Sequence, residues 1–229
     1  MDLILLHGAL GSSSQFSALA QALGGNYKLS APDFAGHGGT PLPDGKFSIA
    51  MFAEQIVRWM ETNRIEKADF LGYSMGGYVA LYIARYFPGR VRKIFTLSTK
   101  FGWTTEIAER EVKNLDPDKL EQKQPDFAKG LKERHTEANW RTLLRKTGEL
   151  LFDIGSDSPL KESDYHAITH PVTVCVGDRD KMVSFDETAT VYRQLPNAAL
   201  LVLPGTGHPL EAFDTEMVVF HAARFFGSK

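Results

Sequence analysis

One short stretch, Gly72-Tyr73-Ser74-Met75-Gly76-Gly77, constrains the fold of this chain more than any other. An apolar segment ending at Leu71 precedes it, and residues 78–87 follow as an apolar run long enough for a buried helix. A serine on so tight a strand-to-helix turn needs unusual backbone angles, and side chains at positions 72 and 76 would collide with neighbouring backbone. Glycine at both positions removes the clash and exposes the Ser74 hydroxyl beside the free N–H groups of the new helix. Ordinary glycine-rich turns also carry this pattern, so the rest of the chain must decide between the two interpretations.

Apolar runs alternate with amphipathic helical segments along most of the chain. The predicted strands are residues 3–6, 27–31, 65–71, 91–98, 172–176 and 199–203. Such alternation predicts an α/β fold with a doubly wound, mainly parallel sheet of about six strands. In that fold, ligand-binding groups lie beyond the carboxyl ends of the strands.

The pattern changes between residues 99 and 169, where Lys, Glu and Arg become dense. Three helices are predicted there, over residues 104–114, 117–134 and 136–152. Because so long a connection between two strands is unusual unless it covers a site, we expect a helical cap inserted into a core of residues 1–98 and 170–229. The alternative is that these helices form a charged peripheral layer.

Composition excludes several classes of protein. A formal net charge of −2 over 229 residues gives no electrostatic basis for binding nucleic acid or an anionic membrane. No apolar run approaches the ~20 residues that span a bilayer. The first residues lack a basic segment and a cleavage site, so we expect no signal peptide. The single cysteine, Cys175, lies in a predicted strand, which indicates a buried thiol and a cytoplasmic protein.

Three polar residues follow the ends of predicted strands in the order Ser74, Asp180, His208. The carboxyl ends of parallel strands lie on one edge of the sheet, so these distant residues can meet. A serine hydroxyl becomes a nucleophile when a histidine removes its proton, and a carboxylate orients that histidine. The set therefore predicts nucleophilic catalysis at Ser74.

The chain resembles the α/β-hydrolase family. The matching pieces are His7-Gly8-Ala9-Leu10-Gly11, Asp33-Phe34-Ala35-Gly36-His37-Gly38, residues 72–77, Gly177-Asp178-Arg179-Asp180 and Gly205-Thr206-Gly207-His208. The resemblance implies Ser74 as nucleophile, Asp180 as acid, His208 as base, and an oxyanion hole from the N–H groups of Ala9 and Met75. Members usually carry two strands before the His-Gly loop, and this chain starts with the strand that leads into it.

Several residues have competing interpretations. Asp178 is the rival of Asp180 as the acid, and His7 and His37 are expected to support loops rather than chemistry. A metal site built from His7, His37 and Asp33 lacks the usual ligand spacing, and the glycines do not form a dinucleotide loop, so we expect no metal and no cofactor. The remaining histidines are expected at the surface: His135, His166, His170 and His221.

Aromatic and apolar residues near the candidate loops are expected to bind the substrate, because sites for small acyl groups are usually apolar. Trp103, at the start of the cap, is the preferred one. The predicted set is Phe34, Tyr73, Phe101, Trp103, Met182 and Leu210.

The favoured function is a serine hydrolase that cleaves a small ester through an acyl-enzyme on Ser74. An alternative keeps the triad and cleaves a carbon–carbon bond or eliminates pyruvate, as in menaquinone synthesis. That chemistry needs arginines for an anionic substrate: Arg141 and Arg145 in the cap are candidates, whereas Arg85 and Arg90 are expected to lie too far away. A ligand-sensing receptor with weak turnover and peroxide-dependent acyl chemistry are further alternatives. The expected partner is a small-molecule ester, with no nucleic acid and no membrane.

Overall fold

Six parallel strands form the central sheet of the computed structural model, which describes residues 1–25 and 27–227. Their order across the sheet is β2-β1-β3-β4-β5-β6, and each strand pairs in parallel with its neighbours. This confirms the predicted fold class. The strands are β1 Asp2–Leu6, β2 Lys28–Ser30, β3 Ala68–Tyr73, β4 Val91–Leu97, β5 Val172–Gly177 and β6 Ala198–Leu203.

Ten α-helices connect and cover these strands in the described residues. They are α1 Ser17–Leu23, α2 Ile49–Thr62, α3 Met75–Tyr86, α4 Thr105–Val112, α5 Pro117–Lys123, α6 Pro125–His135, α7 Trp140–Ser156, α8 Glu162–Ala167, α9 Phe185–Gln194 and α10 Thr215–Gly227. Single 3₁₀ turns lie at Ser13–Phe16, Pro88–Arg90, Lys113–Leu115 and Leu210–Ala212.

Side chains that alternate along each strand build two cores, one on each face of the sheet. On one face, Ile4 and Phe70 belong to a core that includes buried residues of α2 and α3. On the other, Leu3 and Leu71 pack in a core with buried residues of α1 and α10. Both faces of the central strands are therefore buried, which explains why β1, β3 and β5 have nearly continuous apolar sequences.

The strand order reverses between β1 and β3. The chain runs from β1 outward to β2 and then returns to β3 on the other side of β1. In the register of this pair, Leu6 at the end of β1 lies beside Gly72 near the end of β3. The loops after these two strands thus meet where open α/β sheets bind their ligands.

Helices α4 to α7, here called the helical insertion, lie in the chain between β4 and β5. Helix α4 packs on α7, and α5 packs on α6. The predicted helix over residues 117–134 is wrong in one respect, because Pro125 ends one helix and starts the next. Helix α8 also lies within the predicted cap range, yet it packs on α3 and α9 of the sheet layer.

No helix in the described part of the chain is long and apolar enough to cross a membrane.

Candidate active site

Ser74 stands at the junction of β3 and α3 in a strained conformation. Its backbone has φ 50° and ψ −118°, a combination that costs on the order of 1–3 kcal/mol in a non-glycine residue. A Cβ at Gly72 would lie 2.5 Å from the backbone of Gly76, and one at Gly76 would lie 2.1 Å from the carbonyl oxygen of Leu6. The Ser74 N–H donates to the carbonyl of Leu97 over 2.8 Å, which anchors the turn to β4. The steric account of the two glycines is confirmed.

His208 and Asp180 form a hydrogen-bonded pair across the ends of β5 and β6. Nδ1 of His208 lies 2.9 Å from Oδ2 of Asp180, whose side chain is fully buried. The other oxygen, Oδ1, accepts the N–H groups of Met182 and Val183, each over 2.8 Å. Burial alone would raise the pKa of Asp180, but the hydrogen bonds from His208 and Val183 outweigh it and hold that pKa below its ordinary value. The ionised carboxylate accepts Nδ1–H, and this leaves Nε2 of His208 as the unprotonated nitrogen.

Asp178 has different partners. Its Oδ1 accepts the N–H of Thr206 over 3.2 Å, and its Oδ2 lies 3.7 Å from Nε of Arg179. It thus ties the loop after β5 to the loop after β6 and does not contact the imidazole.

Tyr73, the last residue of β3, contacts the loop that carries His208. Its hydroxyl donates to the carbonyl oxygen of His208 over 3.1 Å, and the two rings lie 5.6 Å apart. Burial raises the pKa of Tyr73 well above its ordinary value, so the phenol keeps the proton that makes this bond.

The Gly8–Gly11 turn, which follows β1, carries a free N–H at Ala9. The turn is closed by the N–H of Gly11, which donates to the carbonyl of Gly8 over 3.1 Å. Nδ1 of His7 donates to the same carbonyl over 2.8 Å, and Nε2 of His7 accepts the N–H of Phe34. Since the carbonyl of Gly8 is held on one side, the trans peptide directs the Ala9 N–H to the other.

Met75 offers the second free N–H. It is the first residue of α3, so its N–H has no partner inside the helix. Among the described residues, neither Ala9 nor Met75 donates its backbone N–H to a hydrogen bond.

A cavity of about 610 Å³ joins these groups. Ser74, His208, Ala9 and Met75 all line it. The helical insertion lines the same cavity with apolar residues that include Leu115, Leu120, Phe127, Leu150 and Ile154. The cavity therefore lies between loops of the sheet on one side and the insertion on the other.

A family model described as alpha/beta hydrolase fold matches residues 3–144, which is more than half of the chain. This chain belongs to the α/β-hydrolase family. The predicted family is thus confirmed.

Two curated relatives illustrate the range of the family. The chain is 34% identical over 99 residues to a pimeloyl-[acyl-carrier protein] methyl ester esterase of Aeromonas salmonicida. That match covers 43% of this chain and only 37% of the relative. It is 26% identical over 218 residues to a 2-hydroxymuconate semialdehyde hydrolase of Pseudomonas putida, covering 86% of the chain and 74% of the relative.

The fold also matches a solved structure over almost its full length. That structure is the 2-hydroxy-6-oxo-6-phenylhexa-2,4-dienoate hydrolase of Rhodococcus sp. strain RHA1, with a TM-score of 0.82 and 22% identity. The match covers 99% of this hydrolase and 90% of the Rhodococcus chain. At this identity the likeness concerns the fold alone.

The structure separates the predicted substrate-binding residues into two groups. Tyr73, Trp103 and Met182 line the cavity of this hydrolase. The other three lie outside its lining, in packed positions: Phe34 is fully buried against the rings of His7 and Phe52, Phe101 packs on Tyr78 and Tyr165, and Leu210 packs on the core of α1 and α10.

Sequence reasoning missed the lysine and the arginine that line the cavity. Arg134, at the end of α6, lines the cavity and donates from Nη1 to the carbonyl of Leu10 over 3.0 Å. Lys100, between β4 and α4, also lines it, and its ammonium donates to the carbonyl of Met182 over 2.8 Å. Lys100 lies just beyond the carboxyl end of β4, and that position was the missed signal. Arg134 lies in an inserted helix, where no strand end marked it.

The prediction that His135 lies at the surface is wrong. It is fully buried, with Nδ1 accepting the N–H of Gly38 over 3.1 Å and Nε2 lying 2.9 Å from the carbonyl oxygen of Leu10. The spacing of Ala128, Leu131 and His135 on α6 was the missed signal, because these three residues form the buried stripe of that helix.

The candidate metal site has no support in the geometry. Nε2 of His7 accepts the N–H of Phe34 and lies 3.7 Å from Oδ1 of Asp33, and Nδ1 of His37 contacts the carbonyl oxygen of Ala35. Within residues 1–25 and 27–227, no group of three His, Cys, Asp or Glu residues is arranged to hold a metal ion.

Proposed function

We propose that this hydrolase cleaves a small carboxylic ester through an acyl-enzyme on Ser74. The observation that carries the proposal is the shared cavity, which is lined both by a serine on a strained turn and by a histidine already paired with a buried carboxylate. This arrangement supplies a nucleophile, a base and a group that orients the base.

In the first half-reaction, Nε2 of His208 takes the proton of Ser74 while Oγ attacks the ester carbonyl carbon. The imidazolium that forms is stabilised by the ionised Asp180 on its other nitrogen. When the tetrahedral intermediate collapses, the carbon–oxygen bond breaks and the alcohol leaves with the proton held by His208. Water then enters, and its oxygen attacks the acyl carbon while His208 takes its proton. The bond between that carbon and Oγ breaks, His208 returns the proton to Ser74, and the acid leaves.

The negative oxygen of each intermediate is held by the N–H groups of Ala9 and Met75. Both are free of other acceptors in the described residues, and both line the cavity beside Ser74. Donors fixed before charge develops need no reorganisation, and one such donor contributes about 10²- to 10³-fold in kcat.

A small acyl ester fits the cavity walls better than a highly charged substrate. Most of the insertion residues that face the cavity are apolar, and Lys100 is already paired with Glu187. The two arginines expected for an anionic substrate are engaged elsewhere: Arg141 binds Asp118 and Glu121, and Arg145 binds Glu149. Arg85 and Arg90, which were expected to lie too far away, bind Asp164 and Glu61 and do not line the cavity. The name of the Aeromonas relative, a methyl ester esterase, supports the same substrate class.

Hydrolysis of a chromogenic short-chain acyl ester tests the proposal. Replacing Ser74 by Ala removes the nucleophile and should lower kcat by about 10⁴- to 10⁶-fold. Ser156, which is exposed at the end of α7 and does not line the cavity, offers the matched control, since Ser156→Ala should leave kcat within a few-fold. Comparable turnover by the wild type and Ser74→Ala would remove Ser74 from the mechanism.

A second candidate function is the cleavage of a carbon–carbon bond next to a ketone. One observation favours it: Arg134 lines the cavity and, among the described residues, forms no ion pair with a carboxylate. Such a cation suits a substrate with an acid group, and the Pseudomonas relative is named as a hydrolase of a semialdehyde. Faster turnover of a dienone acid than of any ester in a panel, with the advantage lost in Arg134→Gln, would favour this second function.

A further inference from the structure

The turn after β1 is held in an unfavourable conformation. Leu10 has φ +59°, in the left-handed region that non-glycine residues rarely adopt. The Gly8–Gly11 hydrogen bond closes a turn in which Leu10 is the third residue, a place where glycine is usual when φ is positive. Something outside the turn must therefore keep Leu10 in place.

Two side chains of α6 supply that restraint. Nη1 of Arg134 donates to the carbonyl of Leu10 over 3.0 Å, and Nε2 of His135 lies 2.9 Å from the same oxygen. Both contacts come from the helical insertion, whereas the turn belongs to the sheet. The neighbouring residue, Ala9, carries the N–H that we assign to the oxyanion hole.

The proton of His135 is located by its partners. The N–H of Gly38 can only donate, so Nδ1 must accept it. The carbonyl of Leu10 can only accept, so Nε2 must carry the hydrogen. The neutral Nε2–H tautomer alone satisfies both contacts, and protonation of Nδ1 would turn the Gly38 contact into a clash of two donors.

We propose that His135 is a positioning residue that couples the helical insertion to the oxyanion turn, and that this coupling requires the neutral imidazole. The proposal rests on the proposed function, because it concerns the N–H of Ala9. When His135 is neutral, α6 holds Leu10 and the Ala9 N–H faces the cavity. When it is protonated, the Gly38 contact breaks and the turn relaxes toward a negative φ at Leu10.

The surroundings of His135 favour the neutral form. It lies 5.7 Å from the ring of His37, and Arg134 and His7 are further positive or potentially positive neighbours. Asp33 is the acidic group that faces it. Burial lowers the pKa of His135, and its contact with Leu10 opposes that change without reversing it.

Three variants test the proposal through kcat and KM for a short-chain acyl ester between pH 4 and 8. His135→Phe keeps a ring of similar size but has neither ring nitrogen. Its kcat should fall about 10- to 100-fold with KM nearly unchanged. This loss is smaller than the loss expected when a whole oxyanion donor is removed. His135→Gln places an amide N–H near Leu10 and should recover most of the lost kcat. His166→Gln, at an exposed histidine, is the matched control and should match the wild type.

The pH profile separates positioning from simple packing. In the wild type the protonation of His135 adds one proton to those that already abolish kcat at acidic pH, so the acid limb should be steeper at its lowest pH values than in His135→Gln. In His135→Gln the same limb should lack this added proton.

Equal limbs in the two proteins, or a kcat within twofold of wild type in a folded His135→Phe, would overturn the proposal. If wild type itself fails to hydrolyse any ester in a Ser74-dependent way, the proposed function fails instead.

Discussion

Two aspartates two residues apart have different surroundings, and the difference lies in the direction of each side chain. Asp180 is buried, accepts two backbone N–H groups and contacts His208, whereas Asp178 is partly exposed and faces Thr206 and Arg179. The strand β5 ends at Gly177, and a Cβ there would lie 2.1 Å from the carbonyl oxygen of Thr206. The loops after β5 and β6 thus approach closely enough for Asp180 to reach the imidazole.

We therefore predict opposite outcomes for two matched substitutions. Asp180→Asn keeps the shape but removes the acceptor that fixes the Nδ1–H tautomer, and kcat should fall by about 10⁴-fold. Asp178→Asn should change kcat by less than tenfold. Ester hydrolysis at pH 7.5, with circular dichroism to confirm folding, gives both values, and reversed magnitudes would make Asp178 the acid.

At this scale, sequence reasoning works where a residue's position follows from the backbone. Asp180 and His208 follow strand ends, so the parallel sheet alone brings them to one edge. Side-chain direction in a loop or in an inserted helix follows from tertiary packing, which no local pattern specifies. For this reason Phe34 and Phe101 lie outside the predicted pocket, and His135 is buried instead of exposed. Three charged residues, Lys132 to Arg134, directly precede His135 and concealed the short buried stripe of α6.

At the scale of elements, the junction between β3 and α3 depends on the absence of two side chains. A Cβ at Gly76 would meet the carbonyl oxygen of Leu6 at 2.1 Å, and backbone atoms cannot move aside as a flexible side chain can. By contrast, a Cβ at Gly130 in α6 would have no neighbour within 4 Å.

The two glycines should respond oppositely to alanine. Gly76→Ala forces β1 and α3 apart and should lower the free energy of unfolding by more than about 3 kcal/mol, at the upper end for single substitutions. Gly130→Ala should raise it by up to about 1 kcal/mol, because alanine favours a helix interior. Urea unfolding measures both; a stable, fully active Gly76→Ala would contradict the account of the elbow.

Element types were more predictable than their limits. Runs such as Leu3 to Leu6 and Val172 to Val176 are buried on both faces, so their apolar character alone revealed them as strands. The insertion was harder, since its helices bury one stripe against partners that no local pattern specifies. Pro125 was nonetheless a visible break, because proline disfavours helical backbone in the residue before it.

At the scale of the whole molecule, three buried histidines lie where the loop after β1, the loop after β2 and the end of α6 meet. Burial lowers the pKa of His7 to about 4, places that of His37 well below its ordinary value and lowers that of His135. The unfolded chain then binds more protons than the folded chain at acidic pH. Stability is consequently full above about pH 6.5 and falls as the pH drops below it.

The size of this effect can be predicted. With about 1.36 kcal/mol per pKa unit, His7 alone, moving from 6.5 to about 4, should cost about 2.5 kcal/mol of unfolding free energy by pH 4.5. Burial raises the pKa of Asp69, which favours the folded chain as the pH falls, but this is one group against three histidines. Urea unfolding at pH 7.5 and 4.5 measures the difference. His166→Gln should preserve it, and equal stability at the two pH values would contradict the prediction.

The central claim is that Ser74 carries the acyl group, and covalent trapping tests it most directly. A fluorophosphonate should add one phosphonyl group per chain, and peptide mapping by mass spectrometry should locate it on Ser74. Labelling should disappear in Ser74→Ala and slow strongly in His208→Gln, which lacks the base. Labelling of another residue, or none with a folded wild-type protein that still hydrolyses esters, would contradict the mechanism.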